Sequence, residues 1–515
     1  MKILFNVHHP GFIRHFQQAL GLLCDEGHSV HIAFHSDKFD ADQWTQELRQ
    51  AHPEITISTG APRRSDEWTR FSNRIRAMRD YTMYFDARYA GADRLRANAA
   101  REVHAGDRPI VDRVAAIPGL RFAFDRLLHR TERAIPTDPD IDAFLTGHAP
   151  DIIIVTPLVM FNSPQVDVIK SARKLGIPTA LCVASWDNLT NKGKMRELPD
   201  RVMVWNEAQL EEAVSLHGIS RHRVVVTGAQ SFDHWFEFEP SRAKRAFLSE
   251  RGLDPETDLI LYLCSSTSIS PNEIELIRQW QAVLRQSADP RVAKAAILVR
   301  PHPVNKQPWE QLDEMGLENF AVWPRDWIGP FDPQSRHDYF DSLYHASAVV
   351  GLNTSGQVEA GLIGRPVLTL LTEECPLTLR GTTDTLHFQH LLQADGGLLH
   401  VAYSFEEHVQ HLSKAIGGDP SMVERSRRFT QLFIRPYGLA KPCAPILADA
   451  IRSLALVKPS ENLADRWLSQ SLLRPVLRTL IRRLLGRYAV YSRSKVVTAT
   501  EEARTVSTPE KARED

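Results

Sequence analysis

Short apolar runs recur along this chain, and each is followed by a polar turn and a segment with helical periodicity. This repeated order is typical of parallel sheets covered by helices on both faces. It predicts an α/β protein with two doubly wound, Rossmann-like domains, whose ligands bind beyond the carboxyl ends of the strands. The predicted strands are residues 2–7, 29–34, 151–155, 178–183, 201–205 and 223–228 in the first domain and 259–264, 296–300, 348–351 and 367–371 in the second.

The stretch 348–371 contains the clearest candidate ligand site. It predicts a buried strand, a polar turn, a helix and a second buried strand. Thr354, Ser355 and Gly356 are typical of a helix start, which presents unpaired N–H groups with partial positive charge and therefore suits phosphate. Glu359, one helical turn further, can accept hydrogen bonds from two ribose hydroxyls. An ordinary strand–helix–strand unit with a good cap is the alternative.

Two further strand ends of the second domain bear polar side chains. Ser265, Ser266 and Thr267 follow its first strand and offer hydroxyl and backbone N–H groups to an anion. Arg300 and His302 follow the next strand. A guanidinium fork and an imidazole at one sheet edge suit a nucleotide diphosphate or its base, so we predict that these residues bind a nucleotide.

Histidines occupy the corresponding position in the first domain. His8 and His9 follow the first strand, and either can act as a general base because imidazole titrates near neutral pH. His15, on the helix that follows, is predicted to face the same crevice. Solvated loop histidines are the alternative.

The loop 185–193 (SWDNLTNKG) is the strongest signal in the first domain. Asp and Asn side chains bind carbohydrate hydroxyls, and a tryptophan ring can stack on a sugar face. We therefore predict that Trp186, Asn188 and Lys192, together with His15, contact an acceptor. Asp187 is the third candidate for the base.

An arginine-rich helical insertion runs from about residue 62 to 147. It can cover an acceptor cleft, bind an anionic acceptor or lie against a membrane. A solvated helical face paired with local acids is the interpretation that we favour. Asp138 and Asp140 precede a helix and are predicted to cap it rather than to bind a metal.

The composition is that of a globular protein, with 43% hydrophobic residues and a formal net charge of −1, which gives no general attraction for nucleic acid. Five scattered cysteines without a CxxC pair are predicted to be reduced core residues. No run reaches the ~20 apolar residues of a membrane span, so we expect a cytoplasmic protein. The sequence has neither a GxGxxG nor a P-loop lysine motif, which disfavours dinucleotide redox chemistry and ATP hydrolysis.

The C-terminal part is predicted to be helical. Residues 405–456 are expected to return to the first domain, and residues 474–492 form an amphipathic helix within a basic segment that has eight Arg or Lys and no acid. This pattern predicts a peripheral helix on anionic lipid at the inner face of the membrane, or else a helix docked on the domains or on a partner. We place the domains at 1–240 and 250–435, the C-terminal helices at 436–492 and a disordered tail at 497–515.

Four segments together resemble the GT-B glycosyltransferases, and within them the bacterial branch near the CDP-glycerol glycerophosphotransferases and the UDP-N-acetylglucosamine 2-epimerases. These segments are KILFNVHHP (2–10), SWDNLTNKG (185–193), RPHP (300–303) and NTSGQVEA (353–360). The resemblance implies that Ser355 and Gly356 hold the donor diphosphate, that Glu359 holds the ribose, and that Arg300 and His302 belong to the donor site.

The resemblance also implies an activity: glycosyl transfer from a nucleotide-sugar donor to a surface-polysaccharide or lipid-linked acceptor, without a cofactor or bound metal. Retaining enzymes of this fold often have two glutamates eight residues apart, but the earlier position here is Gly351, which favours inversion. The epimerases have a longer SGGxQEE run, whereas this chain has SGQVE. Polyol-phosphate transfer from a CDP-linked donor and a non-catalytic nucleotide-sugar-binding or scaffold protein stay open as alternatives.

Overall fold

The structure is a computed structural model of the 515-residue chain. It describes residues 1–36, 43–267, 269–303, 305, 307–325, 329–330, 332–375, 385–393, 396–459 and 474–479. The predicted tail 497–515, and all but residues 474–479 of the predicted amphipathic helix, lie outside the described residues.

Seven parallel strands form the sheet of the first domain: β1 (Lys2–Val7), β2 (Ser29–Phe34), β3 (Thr56–Ser58), β4 (Ile152–Thr156), β5 (Thr179–Cys182), β6 (Arg201–Val204) and β7 (Val224–Val226). Their order is β3-β2-β1-β4-β5-β6-β7. Strands β4 and β5 are buried along their whole length, and in β4 Ile152 and Ile153 pair with Ile3 and Leu4 of β1. Continuous apolar runs are expected of strands that helices cover on both faces.

Six parallel strands form the second sheet: β8 (Leu259–Leu263), β9 (Ala296–Arg300), β10 (Phe320–Val322), β11 (Ala348–Gly351), β12 (Val367–Leu370) and β13 (Leu399–Ala402). Their order is β10-β9-β8-β11-β12-β13. The predicted α/β class with two doubly wound parallel sheets is therefore confirmed. The domain boundaries given above remain predictions.

Helices connect the strands. Up to β8 they are α1 (Gln17–Asp25), α2 (Gln43–Ala51), α3 (Thr69–Met83), α4 (Asp93–Glu102), α5 (Arg108–Ala115), α6 (Pro118–Ala134), α7 (Pro139–His148), α8 (Gln165–Leu175), α9 (Glu207–His217) and α10 (Lys244–Ser249). After β8 they are α11 (Glu273–Arg285), α12 (Pro290–Lys294), α13 (Glu310–Glu314), α14 (Pro333–Tyr344), α15 (Ser355–Leu362), α16 (Phe388–Gln393), α17 (Phe405–Ile416), α18 (Pro420–Phe429) and α19 (Ala444–Leu454). Among the helices of the described residues, none has the length and apolar character needed to cross a bilayer.

The insertion consists of helices α3 to α7, and several of its charged residues are buried. Arg76 donates to Glu132 of α6 and to Asp167 of α8, both at 2.8 Å. Arg64 donates to Asp167 at 3.0 Å, and Lys170 of α8 lies 3.1 Å from Glu132. Local acid partners were predicted, but a solvated face is wrong for these arginines, because they attach the insertion to α8. Asp138 caps α7, as predicted.

After the second sheet, the chain returns to the first domain. A π-helix, Thr430–Ile434, precedes Arg435, which pairs with Asp233 at 2.8 Å. The backbone N–H groups of Cys443 and Ala444 donate to the other oxygen of Asp233, each at 2.7 Å. Helix α19 then packs on α1 and the core of the first sheet. This arrangement agrees with the predicted return and joins the two domains from behind.

Candidate active-site cleft

A cavity of about 1100 Å³ lies between the carboxyl ends of the two sheets, where parallel sheets commonly bind ligands. Side chains from both domains and from the insertion line it. Most of the predicted site residues are among them: His15, Trp186, Asp187, Lys192, Ser266, Arg300, His302, Thr354, Ser355, Gly356 and Glu359.

The start of α15 forms part of the second-domain wall. Thr354 is the N-cap and forms a capping box with Gln357, whose side chain accepts the Thr354 N–H at 3.2 Å. Ser355 is exposed to the cavity. A Cβ on Gly356 would lie 2.7 Å from the Leu263 side chain, so glycine lets the helix start approach β8 closely. The positive end of the helix dipole therefore reaches the cavity, which suits an anion.

Glu359, on the same helix, is held by a tyrosine of α14. The Tyr339 hydroxyl donates to Glu359 Oε2 at 2.5 Å. Burial raises the pKa of the Glu359 carboxyl, whereas the Tyr339 hydrogen bond and Arg14 of the first domain act in the opposite direction. A carboxylate has about four acceptor positions, so the bond to Tyr339 leaves room for hydroxyls of a ligand.

Arg300 lines the cavity, but part of its charge is already balanced. Its Nη1 donates to Asp338 Oδ2 at 2.9 Å, and its guanidinium lies 5.1 Å from the centre of the Tyr339 ring. Asp338 also accepts a hydrogen bond from Arg251. His302 is half-buried, and burial lowers its pKa, so the imidazole is neutral at pH 7. The wall is thus weakly cationic rather than strongly so.

Asp187 is the carboxylate of the first domain that faces the cavity. Ser185 Oγ donates to its Oδ1 at 2.5 Å, and Asn191 Nδ2 donates to its Oδ2 at 2.7 Å. Burial alone would raise the pKa of Asp187, but His387, Lys192 and the two hydrogen bonds outweigh that effect and lower it. The group is therefore ionised at neutral pH. Each oxygen keeps a lone pair that can accept a proton from a hydroxyl.

Trp186 joins the two walls. Its indole N–H donates to Ser355 Oγ at 3.2 Å, and its ring meets the His387 ring edge-on at a centroid distance of 4.6 Å. Burial lowers the pKa of His387 to about 4, so that imidazole is neutral at pH 7. Because Trp186 is only 6% exposed, the predicted stacking of a sugar on its ring is not supported.

His15 reaches the cavity from the short 3-10 helix Pro10–His15. Burial and the neighbouring Arg14 lower its pKa to about 3, against the opposing effect of Asp187. Its Nε2 accepts the Arg14 Nε–H at 3.2 Å, which leaves the hydrogen on Nδ1. This neutral imidazole can form a hydrogen bond with an acceptor hydroxyl but does not take up a proton near pH 7.

His8 and His9 do not line the cavity. His9 Nδ1 accepts the Gly11 N–H at 3.1 Å and caps the 3-10 helix. Burial, Arg63 and His9 lower the pKa of His8. The place of both histidines at the strand end is as predicted, but neither lines the cavity, so a role as base is not supported.

Asn188, Ser265 and Thr267 are also not among the residues that line the cavity. Asn188 is buried, and its Oδ1 accepts the Ala184 N–H at 3.0 Å, so it closes its own loop. Ser265 is buried, and its N–H donates to Glu273 at 2.8 Å. These two residues shape loops at the site, whereas Thr267 is exposed outside it.

Several cavity residues come from segments that the sequence analysis did not assign to the site: Arg94, Asn98 and Arg101 of α4, Tyr339 of α14, and His387. Helix α4 belongs to the insertion, so the insertion covers part of the cleft, which was one of the alternatives above. The spacing of the three α4 residues indicates one polar helix face. That this face lines the cleft follows only from the way the insertion packs in the structure.

A separate cluster has the composition of a metal site. Cys24, His52 and Glu54 have potential ligand atoms within 4.8 Å of one another, and none of them lines the cavity. Burial raises the pKa of the Cys24 thiol to about 11, which disfavours the thiolate that a metal requires. All five cysteines are buried and free, as predicted.

No known family profile matches the sequence, and no curated protein sequence matches it. Among solved structures, a Listeria monocytogenes protein provisionally assigned as a UDP-N-acetylglucosamine 2-epimerase matches with a TM-score of 0.51 and 12% identity, over 89% of this chain and 98% of that one. The UDP-GlcNAc 2-epimerase of Neisseria meningitidis, bound to UDP-GlcNAc, has a TM-score of 0.48 and 13% identity, over 88% and 100%. WaaG, a glycosyltransferase involved in lipopolysaccharide biosynthesis, has a TM-score of 0.43 and 12% identity, over 88% and 99%.

At such low identity, the likeness to the Listeria structure establishes the fold alone. The fold is that of the GT-B type, in which two Rossmann-like domains face each other across a cleft. A fold of this kind hosts several activities, so function has to be argued from the cleft itself.

Proposed function

We propose that this protein transfers a sugar from a nucleotide-sugar donor to a hydroxyl of a surface-polysaccharide or lipid-linked acceptor. One observation supports this most directly. The ionised Asp187 carboxylate of the first domain and the start of α15 in the second face the same cavity, and the Trp186–Ser355 hydrogen bond joins them. A base for the attacking hydroxyl and an anion site for the leaving group are what direct displacement at a sugar carbon requires.

The proposal places the donor on the second-domain wall. The α15 start at Thr354, Ser355 and Gly356 holds the diphosphate, and Glu359 accepts hydrogen bonds from the ribose. Ser266 and His302 line the same wall. The positive helix end stabilises the leaving diphosphate, so the proposed reaction includes no step on a metal.

The proposed step is a single inverting displacement. Asp187 accepts the proton of the acceptor hydroxyl, the hydroxyl oxygen forms a bond to the anomeric carbon, and the bond from that carbon to the diphosphate oxygen breaks. The electron pair leaves with the nucleoside diphosphate, which the α15 start stabilises. Gly351 occupies the position where a second glutamate would support retention.

Two surface features support a lipid-linked acceptor and a peripheral place at the membrane. The described residues 474–479 of the basic segment lie against the insertion, where Leu477 packs near Trp68. Arg113 and Arg126 are exposed on α5 and α6. Arginines among exposed apolar side chains are typical of segments on anionic lipid. The exposed apolar residues of α5, α6 and the turn between them are Ile110, Ile117, Leu120, Phe122 and Leu127.

Two alternatives can be distinguished from glycosyl transfer by what is released. Polyol-phosphate transfer from a CDP-linked donor releases CMP, whereas glycosyl transfer releases a nucleoside diphosphate. A non-catalytic binding or scaffold protein binds a donor without turnover and keeps its role after loss of Asp187.

The test combines a binding screen with a product assay. Thermal shifts of the full chain are measured with UDP, GDP, CDP, CMP and their sugar or glycerol conjugates, for the wild type, Glu359→Ala and Glu424→Ala. Glu424 is an exposed acid of α18 outside the cavity and serves as the matched control. A rise in Tm with one nucleoside diphosphate that is lost only in Glu359→Ala supports the donor site.

The product assay then decides the reaction. Release of a nucleoside diphosphate together with a glycosylated acceptor supports the proposal. Release of CMP, binding without turnover, or isomerisation of the donor sugar in the absence of an acceptor contradicts it.

A further inference from the structure

Helix α4 of the insertion presents one polar face to the cleft. Arg94, Asn98 and Arg101 are spaced at i, i+4 and i+7, which places them on the same side of a helix over roughly 10 Å, and all three line the cavity. Ala99 and Ala100 belong instead to the buried core of the insertion. The sequence of α4 thus separates a packing side from a side that faces the cleft.

The two arginines of this face differ from the arginine between them. Arg96 donates its Nε–H to the Tyr84 carbonyl at 3.1 Å and lies 5.1 Å from the centre of the Phe85 ring, so it has a packing role. In the described part of the chain, neither the Arg94 side chain nor the Arg101 side chain forms a hydrogen bond or an ion pair. Two guanidinium groups that form no ion pair with a described carboxylate are therefore placed at the cleft.

A lysine from the first domain adds to the same charge. Lys192 lines the cavity, and the Tyr84 hydroxyl of the insertion donates to its carbonyl oxygen at 2.7 Å, which fixes its loop. Lys192 is close enough to Asp187 to favour its ionised form, and Arg94 acts on the nearby His387. The cationic face therefore adjoins the proposed base and lies on a different element from the α15 start.

We propose that Arg94, Asn98, Arg101 and Lys192 form a subsite for a phosphate group that the acceptor bears. Arginine guanidinium groups match phosphate oxygens in a bidentate geometry, and an asparagine side-chain N–H can donate a further hydrogen bond. Naming the ligand as the acceptor rests on the proposed glycosyl transfer, but the anion subsite itself does not. Its position makes it a selector for phosphate-bearing acceptors over neutral glycans.

The test measures binding of a simple phosphate probe to the full chain. The donor site is first filled with the nucleotide found in the screen, and if no nucleotide binds, the titration is done without one. sn-Glycerol 3-phosphate and uncharged glycerol are titrated calorimetrically into the wild type, Arg94→Gln/Arg101→Gln and Arg427→Gln. Arg427 is an exposed arginine of α18 that lines neither the cavity nor the proposed lipid-binding surface of α5 and α6, so its variant controls for the loss of a surface charge. We expect the phosphate probe to bind the wild type and Arg427→Gln and to bind the double variant at least tenfold more weakly, and we expect glycerol to bind none of them.

A second arm distinguishes the source of the phosphate. The same proteins are sedimented with phosphatidylglycerol vesicles and with phosphatidylcholine vesicles. Loss of soluble-probe binding in the double variant indicates a soluble phosphate-bearing acceptor, and selective loss of phosphatidylglycerol binding indicates a lipid-borne phosphate; either supports the subsite. Equal binding of both probes by the double variant and the wild type overturns it.

These results separate the subsite from the proposed activity. If no nucleotide binds but the phosphate probe still depends on Arg94 and Arg101, the subsite stands and the glycosyl transfer falls. If transfer is observed but neutral and phosphate-bearing acceptors are used equally by the wild type, the subsite falls and the transfer stands.

Discussion

The indole N–H of Trp186 lies 3.2 Å from Ser355 Oγ, and this hydrogen bond connects the loop after β5 to the start of α15 across the cavity. Ser355 is also the residue that we assign to the donor diphosphate. A serine hydroxyl can accept from the indole and donate to a phosphate oxygen at the same time. The loop that contains Asp187 is therefore held next to the donor site by the residue that precedes Asp187 in sequence.

This contact predicts a fluorescence signal for donor binding. Nucleoside diphosphate at Ser355 changes the surroundings of the Trp186 indole, so we expect the tryptophan emission of the wild type to change on titration. In Trp186→Phe, which keeps an aromatic ring against His387 but removes the N–H, the change should be smaller, and the part that persists comes from Trp44, Trp205 and Trp235, which also line the cavity. Trp68→Phe, outside the cavity, should retain the full change. A full change in Trp186→Phe would show that the donor does not reach this contact.

Asp187→Asn should separate binding from catalysis. The amide keeps the size of the carboxylate and can still bond to the loop, but it cannot accept a proton. We expect kcat to fall by about 10² to 10⁴, the usual contribution of a general base, with the Kd for the nucleotide changed less than about twofold.

His9→Ala is the comparison for this variant, because His9 caps a 3-10 helix and does not line the cavity. We expect it to keep most of the activity in the same steady-state assay. A loss of kcat in His9→Ala as large as that in Asp187→Asn would indicate that the base lies in the histidine loop.

The sequence allows the prediction of elements whose chemistry is local. The α15 start is set by a capping box and an adjacent strand, and both lie within one short stretch. Asp187 could be placed at the cleft because it follows β5, and parallel strands end at a common edge. The same rule placed His9 at the right edge, but it does not determine side-chain direction, which here depends on the bond to Gly11.

Other parts of the site depend on packing between distant segments. Arg94 lies at the cleft on an insertion whose Arg64 and Arg76 pair with acids of α6 and α8, which are distant in the sequence. His387 comes from the second domain and contacts Trp186 of the first. These contacts join segments that are far apart in the chain, and local sequence patterns do not encode such contacts. Neither residue could therefore be assigned to the site from the sequence.

The buried ion pairs of the insertion predict unequal costs for two neighbouring arginines. Arg76→Met removes a positive partner from the buried carboxylates of Glu132 and Asp167. Breaking a buried ion pair in this way lowers the free energy of unfolding by about 3–5 kcal/mol. Arg74, whose side chain is 48% exposed, pairs with Asp107 at the surface, and Arg74→Met should cost less than about 1 kcal/mol. Urea denaturation of both variants measures the difference. Equal midpoints would show that the network does not stabilise the insertion.

Glu273 predicts a pH dependence of stability. It is buried below the loop after β8, where it accepts hydrogen bonds from the Ser265 N–H at 2.8 Å and the Tyr262 hydroxyl at 3.1 Å. Burial raises the pKa of its carboxyl to about 8 in spite of these bonds. In the unfolded chain, a glutamate titrates near ~4.3. Between these two values the folded state keeps a proton that the unfolded state has lost, so this group makes the protein less stable as the pH rises and adds no further loss above pH 8.

Glu273→Gln removes this contribution, because the amide stays neutral and can still accept from the Ser265 N–H. The gap between the two pKa values corresponds to an effect on the order of 5 kcal/mol. Urea denaturation at several pH values from 5 to 8 should therefore show that the variant gains stability over the wild type as the pH rises. The comparison is made at each pH, since the histidines with lowered pKa affect both proteins alike. Glu275→Gln, at a half-exposed neighbour paired with Arg278, should leave the wild-type dependence unchanged. A constant difference between Glu273→Gln and the wild type across this range would show that Glu273 is already ionised in the folded protein.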